Sequence, residues 1–218
     1  MQKLLSALLF PQENACHVCE RFLAEGGVLC AECMNLLMQD ALAQPLWEKS
    51  LFPLSACLSA CRYEGMARQL VHRLKYNADG SLAQPLGEAM LRVLIAQPAL
   101  YRRMDLVLPV PLHAARLEQR GYNQAELLAR AMAKPARLPV RTGLLERIRP
   151  TDTQIGRNRA QRMQAMRGAF QADSTAVRGK VILLADDVLT TGATAMACAE
   201  ALKRAGAAEI ALITACRA

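Results

Sequence analysis

The sequence predicts an α/β domain with a mainly parallel sheet flanked by helices, preceded by a small four-cysteine module. Three observations carry this. Short apolar runs alternate with stretches of helical periodicity from about residue 55 to the end. One run, VILLA (Val181–Ala185), is apolar at every position, as in a central strand covered on both faces. Two CxxC pairs stand close together near the beginning, ahead of that alternation.

The elements follow in order. LSACLSACRYEG reads as a strand ending at Gly65. MARQLVHRLKY reads as a helix with Met66, Leu70, Val71 and Leu74 on one stripe. SLAQPLGEAMLRVLIAQ reads as a second helix with Pro85 near its start. DLVLPVP is a short strand stopped by prolines, and GYNQAELLARAMA a helix with Ala125, Leu128, Ala129 and Met132 inward. Residues 145–170 show little periodicity and many arginines, which predicts a long loop with a helical turn or two. GKVILLADD is a strand, TAMACAEALKRAGA a helix closed by Gly206, and AEIALITACR the last strand. Residues 12–50 read as cysteine-rich with short polar turns. Pro45 and Pro53 suggest a hinge, so the division expected is 1–52 for the module and 53–218 for the α/β domain.

At 218 residues, 53% of them hydrophobic, the chain can build one good core and is not a disordered composition. No apolar run approaches the roughly 20 residues that span a bilayer, so no membrane insertion is expected. MQKLLSALLFPQENAC lacks the small-residue cleavage site of a signal peptide and reads as an amphipathic lead-in, which points to the cytoplasm. The net charge of +8 is uneven. Residues 1–62 carry 4 Lys+Arg against 6 Asp+Glu, and the rest carries 23 against 13. A basic C-terminal part attracts phosphates, in nucleic acid or in a small molecule, although a solubilising surface has the same composition.

Cys16, Cys19, Cys30 and Cys33 form C-x2-C, ten residues, C-x2-C. Two residues between thiolates let one tight turn aim both sulfurs at one ion, and two such turns complete a tetrahedral zinc site. Gly26-Gly27 supplies the turn between them. Four thiolates leave no open position, so the expected zinc is structural and His17 a bystander to it. Cys57, Cys61, Cys198 and Cys216 read as core packing, with a second metal pair at Cys57 and Cys61, on one face of a strand, as the lesser option.

Asp186 and Asp187 follow VILLA at the carboxyl end of the predicted central strand, where open α/β sheets bind ligands. Thr190-Thr191-Gly192-Ala193-Thr194 then offers three hydroxyls and several backbone amides, and a helix begins at once with its amide end toward the same point. The segment is neither a P-loop nor G-x-G-x-x-G. It pairs an anion cradle with two carboxylates, which suits a sugar phosphate.

VILLADDVLTTGAT resembles the 5-phosphoribosyl 1-pyrophosphate (PRPP) signature of type I phosphoribosyltransferases. With the four-cysteine module, YEG…LKY, LPVPL, RGYNQ and DTQ, the chain resembles the ComF/GntX family across nearly its whole length. The resemblance implies a type I phosphoribosyltransferase-like sheet and a zinc-ribbon-like segment. Asp186 and Asp187 would meet the ribose hydroxyls. Thr190, Thr191, Gly192, Ala193 and Thr194 would hold the 5-phosphate of magnesium-bound PRPP. Pro109, Val110 and Pro111 would lie at the pyrophosphate, with Arg120 the best nearby cation and Lys75 a second. Arg157, Arg159 and Arg162, with Thr153 and Gln154 nearby, would belong to a loop that closes over PRPP; the family pattern has asparagine where this chain has Ala165. Catalysis would then rest on Asp186, Asp187, Arg120, Arg157, Arg159 and Arg162, transferring ribosyl phosphate to a nitrogen nucleophile. The alternative is a non-catalytic accessory role in DNA uptake, with single-stranded DNA or DNA-uptake proteins as partners. Aromatics make up 4% of the chain, and few sit among the arginines, so a phosphate site is better supported than a single-strand channel.

Overall fold

The computed structural model describes residues 14–42, 53–149 and 164–218. Residues 14–30 form a knuckle of turns with one antiparallel bridge, Ala15 to Phe22, and lead into helix α1 (Ala31–Leu42). Strand β1 (Ala56–Arg62), helix α2 (Gly65–Tyr76), a 3-10 turn (Gly80–Leu82) and helix α3 (Ala83–Ile95) follow. Next come the single turn α4 (Pro98–Tyr101), strand β2 (Leu106–Pro109), and helices α5 (Ala114–Arg120) and α6 (Gln124–Ala136). Strands β3 (Leu145–Arg147) and β4 (Phe170–Ala172) pair with each other. The turn α7 (Ser174–Val177), strand β5 (Val181–Leu189), helix α8 (Ala193–Arg204) and strand β6 (Glu209–Arg217) complete the order.

β1, β6, β5 and β2 lie side by side in that order, all parallel. Alternate residues of β5 feed two cores. Leu183 and Ala185 pack with Leu58, Leu70, Leu86 and Met132, while Ile182 and Leu184 pack with Leu108, Phe170, Cys198 and Leu202. Every residue from Ile182 to Ala185 is buried, which is why VILLA shows no alternation. Helices α1, α2, α3 and α6 contribute to the first core, and α8 with the β3–β4 pair to the second. α3 and α6 meet at backbone distance. A Cβ on Gly87 would lie 2.6 Å from Ala131 Cβ and 2.9 Å from the backbone nitrogen of Met132.

Beyond the short helices α4, α5 and α7, which the sequence reading did not assign, the structure differs from it in four places. A three-turn helix, α1, stands where turns were expected; its Cys33, Leu37 and Met38 are buried, so its apolar stripe is shared with the cysteine pattern. The arginine-rich stretch begins and ends as strands, β3 and β4, and between them residues 150–163 lie outside the described residues. β5 continues two residues past the acid pair, with Val188 and Leu189 still in register with Cys216 and Arg217 of β6. Finally, Cys57 and Cys61 do not converge. Cys57 packs in the second core, whereas Cys61 lies in the first, its thiol 3.9 Å from the Leu37 carbonyl. Both are buried, as are Cys198 and Cys216, so packing accounts for all four. The expected division at 52/53, the lead-in over 1–13 and Pro45 fall on or beside undescribed stretches. Among the described residues no helix is long and apolar enough to cross a membrane.

Candidate functional site

Four parallel strands present their carboxyl ends along one edge, and the acid pair stands there on β5. Asp186 is opposite Thr214 of β6 and accepts the backbone N–H of Asp187 on Oδ1 at 2.8 Å. Asp187 Oδ1 receives the Lys75 ammonium from the end of α2 at 2.8 Å, with both side chains under one-fifth exposed. Burial works against that ammonium, but the charges of Asp187 and Asp186 outweigh it and raise the Lys75 pKa. Burial, then the neighbouring charge of Asp187, pushes the Asp186 carboxyl up to about 7; the Asp187 N–H, Lys75 and Arg147 oppose this only in part. The two acids thus behave differently. Asp187 is compensated by a lysine, and Asp186 holds a proton near neutrality.

Just beyond, β5 ends at Leu189 and the chain turns through Thr190, Thr191 and Gly192 into α8. Gly192 adopts φ 76°, the left-handed region where glycine is unstrained, and it offers no side chain to cap the helix. The first-turn amides of α8 therefore lack a side-chain cap from that position. The loop answers with one long contact, from the Ala193 N–H to Thr191 Oγ1 at 3.5 Å. A recess of about 40 Å3 opens here, bordered by Asp186, Thr190, Thr191, Gly192, Thr194 and Thr214. Hydroxyls, helix amides and a carboxylate share its wall, a chemistry suited to a phosphate carried on a polyol.

On the other side of β5, β2 brings Pro109 opposite Ala185, and the Val110 N–H donates to the Ala185 carbonyl at 2.9 Å. Pro109 and Val110 are therefore beside Asp186, and both are buried. Asn123 fixes the following turn: its Nδ2 donates to the Val110 carbonyl at 3.0 Å and its Oδ1 caps α6 at the Ala125 N–H, also 3.0 Å. A cavity of about 310 Å3 lies along this turn, bordered by Pro109, Pro111, Leu117, Asn123, Arg141 and Arg147. Arg120, the last residue of α5, donates to Gln124 Oε1 at 3.0 Å and lies over the Tyr76 ring at 5.3 Å.

The sulfurs of Cys16, Cys19, Cys30 and Cys33 all lie within 4.8 Å of one another, with Cys19 and Cys30 3.6 Å apart. Tetrahedral zinc with bonds of about 2.3 Å spaces its sulfurs by about 3.8 Å, so the donor set fits. Gly26 and Gly27, at φ 75° and 122°, make the turn between the pairs. Backbone N–H groups of Cys30 and Cys33 point at the sulfurs of Cys16 and Cys30, at 3.3 and 3.5 Å. Burial disfavours the Cys16 thiolate, yet backbone donors at Cys19, Cys30 and Val18 bring it down to about 6. Burial and its thiol neighbours push Cys33 up. Such a cluster ionises fully only around a cation, and four thiolates leave no position for a substrate, so the site is compatible with structural zinc.

Residues 117–218, which hold the acid pair, its loop and α8, match the family model described as "Phosphoribosyl transferase domain". The chain is 29% identical over 204 residues to DNA utilization protein YhgH of Salmonella typhimurium, covering 93% of this chain and 89% of the relative. It is 26% identical over 208 residues to competence protein ComFC of Bacillus subtilis, covering 92% and 82%. A shorter match, 32% over 108 residues, is to competence protein F of Haemophilus influenzae, covering 49% and 47%. The chain is thus similar to DNA utilization and competence proteins, and its C-terminal part matches a phosphoribosyl transferase domain. Among solved structures, glutamine PRPP amidotransferase from B. subtilis, complexed with ADP and GMP, aligns at 22% identity with a TM-score of 0.41 over 62% of this chain and 27% of that one.

The structure brings Asp186, Asp187, Thr190–Thr194, Pro109 and Val110 to one end of the sheet. Arg120 stands over Tyr76, one residue beyond Lys75. Lys75, expected near the site, pairs with Asp187. Arg157, Arg159, Arg162, Thr153 and Gln154 lie outside the described residues. His17 is not in the thiol cluster; its Nδ1 meets Asp79 Oδ2 at 3.0 Å. Two neighbours of the acids were not singled out. Thr214 sits in an apolar strand with no motif of its own. Arg147 was one arginine among many; only the β3 strand, which directs it toward Phe170 and within electrostatic reach of Asp186, distinguishes it.

Proposed function

We propose that this chain binds magnesium-PRPP at the carboxyl edge of the sheet and transfers its ribosyl phosphate to a nitrogen nucleophile, releasing pyrophosphate. The observation that carries the reading is the recess in which Asp186 stands beside the Thr190–Thr194 loop and the start of α8. Thr190, Thr191 and Thr194 hydroxyls and the backbone of Gly192 and Ala193 hold the 5-phosphate. Asp186 and Asp187 accept from the ribose hydroxyls, which orients the anomeric carbon. Pro109 and Val110 border the pyrophosphate, and Arg120, Arg157, Arg159 and Arg162 are the cations of that side. In the transfer the anomeric C–O bond breaks and its electron pair leaves with pyrophosphate. A C–N bond forms and the acceptor nitrogen loses a proton. Positive charge builds on the sugar, where the acids stabilise it, and negative charge on the leaving group, where the arginines do. Magnesium, when bound, neutralises further charge on the pyrophosphate. The raised Asp186 carboxyl, next to a second acid, is a group that a divalent cation would favour in its ionised form.

The second reading, a non-catalytic protein that binds PRPP or single-stranded DNA in DNA uptake, is favoured by the relatives' names, DNA utilization protein and competence protein. The basic balance of residues 63–218 is compatible with either. Both readings place the work in the cytoplasm. Pyrophosphate release from magnesium-PRPP, measured across a panel of nitrogen bases, separates them. Release with one acceptor, lost in Asp187→Asn, supports transfer. No release with any base, together with salt-dependent single-strand binding weakened by Arg157→Ala and Arg159→Ala, supports the accessory role.

A further inference from the structure

The last four residues of α2 hold four different parts of the molecule. Arg73 donates to the His17 carbonyl and, at 2.9 Å, to Asp79 Oδ2. The Leu74 carbonyl accepts from the Tyr122 hydroxyl at 2.6 Å. Lys75 pairs with Asp187 at 2.8 Å, and Tyr76 lies under the Arg120 guanidinium. His17 belongs to the first cysteine turn, between Cys16 and Cys19, and it shares Asp79 Oδ2 with Arg73. One carboxylate, 16% exposed, therefore ties the cysteine turn to the helix that delivers Lys75. Ser81 Oγ holds the other oxygen of Asp79 at 2.6 Å.

We propose that the four-cysteine module positions the acid pair. The junction of His17, Asp79 and Arg73 fixes the final turn of α2 and so keeps Lys75 on Asp187. Helix ends fray, and α2 closes on Asn77 with a non-glycine residue, Ala78, in the left-handed region just beyond it (φ 54°). A lysine stem is long and loses rotamer freedom when its ammonium is held in one place. A contact made by such a side chain from a helix end depends on what anchors that end, and on the far side of Lys75 the anchor is a turn whose shape is set by the thiol cluster. Lys75 is thus a positioning residue for Asp187. His17, Asp79 and Arg73 act on the site through it.

The test uses the full, zinc-loaded protein with Asp79→Ala, and with Arg73→Met as a second variant should the first fail to fold. Two quantities are read: acylation of the Lys75 amine, quantified by peptide mass spectrometry, and affinity for magnesium-PRPP. The expected result is an increase in Lys75 acylation of about fivefold with zinc content unchanged, matched by chelator-stripped wild type. Affinity falls by a similar factor, and combination with Lys75→Met brings no further loss, because both changes remove one interaction. Unchanged Lys75 reactivity in the zinc-loaded variants overturns the proposal, as does a loss of affinity that adds fully to that of Lys75→Met. The affinity arm rests on the functional reading. If wild type does not bind magnesium-PRPP, that reading fails, and acylation alone decides the role of the junction.

Discussion

Lys75 lies 2.8 Å from Asp187, while Asp186, one residue away, has a carboxyl raised to about 7 by burial and by that same aspartate. A proton held by the native state and released by the unfolded chain makes stability depend on pH. Asp186 in the unfolded chain titrates near 3.9. Its contribution is fully present below that value and is lost as pH rises to about 7, after which it stays constant. Urea unfolding should therefore show a lower midpoint at pH 8 than at pH 5 from this group, and Asp186→Asn should flatten that slope. Lys75→Met removes a cation that lowers the Asp186 pKa, so the carboxyl titration of Asp186, followed by NMR, should move upward. It also leaves Asp187 uncompensated in a half-buried site, a loss of about 1–3 kcal/mol in unfolding free energy. The two acids and the Thr190–Thr194 loop were legible in the sequence because neighbouring residues carry the pattern. Lys75 and Thr214 were not legible as their partners, because parallel β5–β6 pairing and the packing of α2 bring them there from distant positions.

At the scale of elements, Gly87 marks where α3 and α6 touch. Adding a methyl group would place it 2.6 Å from Ala131 Cβ and 2.9 Å from the Met132 backbone nitrogen, so α6 would have to shift. Gly87→Ala should lower stability by about 1–3 kcal/mol through overpacking, despite alanine's better helix propensity, and thermal denaturation would read this as a fall in Tm. Strands β1, β2, β5 and β6 and helices α2, α3, α6 and α8 were predictable from periodicity, since each buries a stripe or a continuous run. α1 was hidden because Cys33, Leu37 and Met38 serve packing and the cysteine pattern at once. β3 and β4 were hidden because three-residue strands carry too few positions for alternation to show. The same-face expectation for Cys57 and Cys61 rested on their spacing of four in a strand, whereas the two thiols end in different cores.

Across the whole molecule, the knuckle of residues 14–30 has little apolar core of its own beyond its buried cysteines, and α1 carries it onto the core beside β1. Zinc is therefore expected to hold that knuckle. Metal removal, or Cys16→Ser with Cys33→Ser, should expose it to proteolysis and lower Tm by several degrees, while the β5–β6 pair keeps its amide protection in hydrogen exchange. The phosphoribosyltransferase-like C-terminal part and the cysteine cluster were readable from motifs spaced within a few residues of each other. The junction of His17 with Asp79 and Arg73 was not, since His17 has a clear local explanation as a bystander of the thiols. On the proposed reading the acid pair and the threonine loop form one site for a ribose bearing phosphates. Isothermal titration of the wild-type chain and of Asp186→Asn/Asp187→Asn with magnesium-PRPP distinguishes this from its absence. Saturable one-to-one binding that the double substitution weakens by about a hundredfold or more is the predicted result. No binding by the wild type, or equal binding by both proteins, would contradict it.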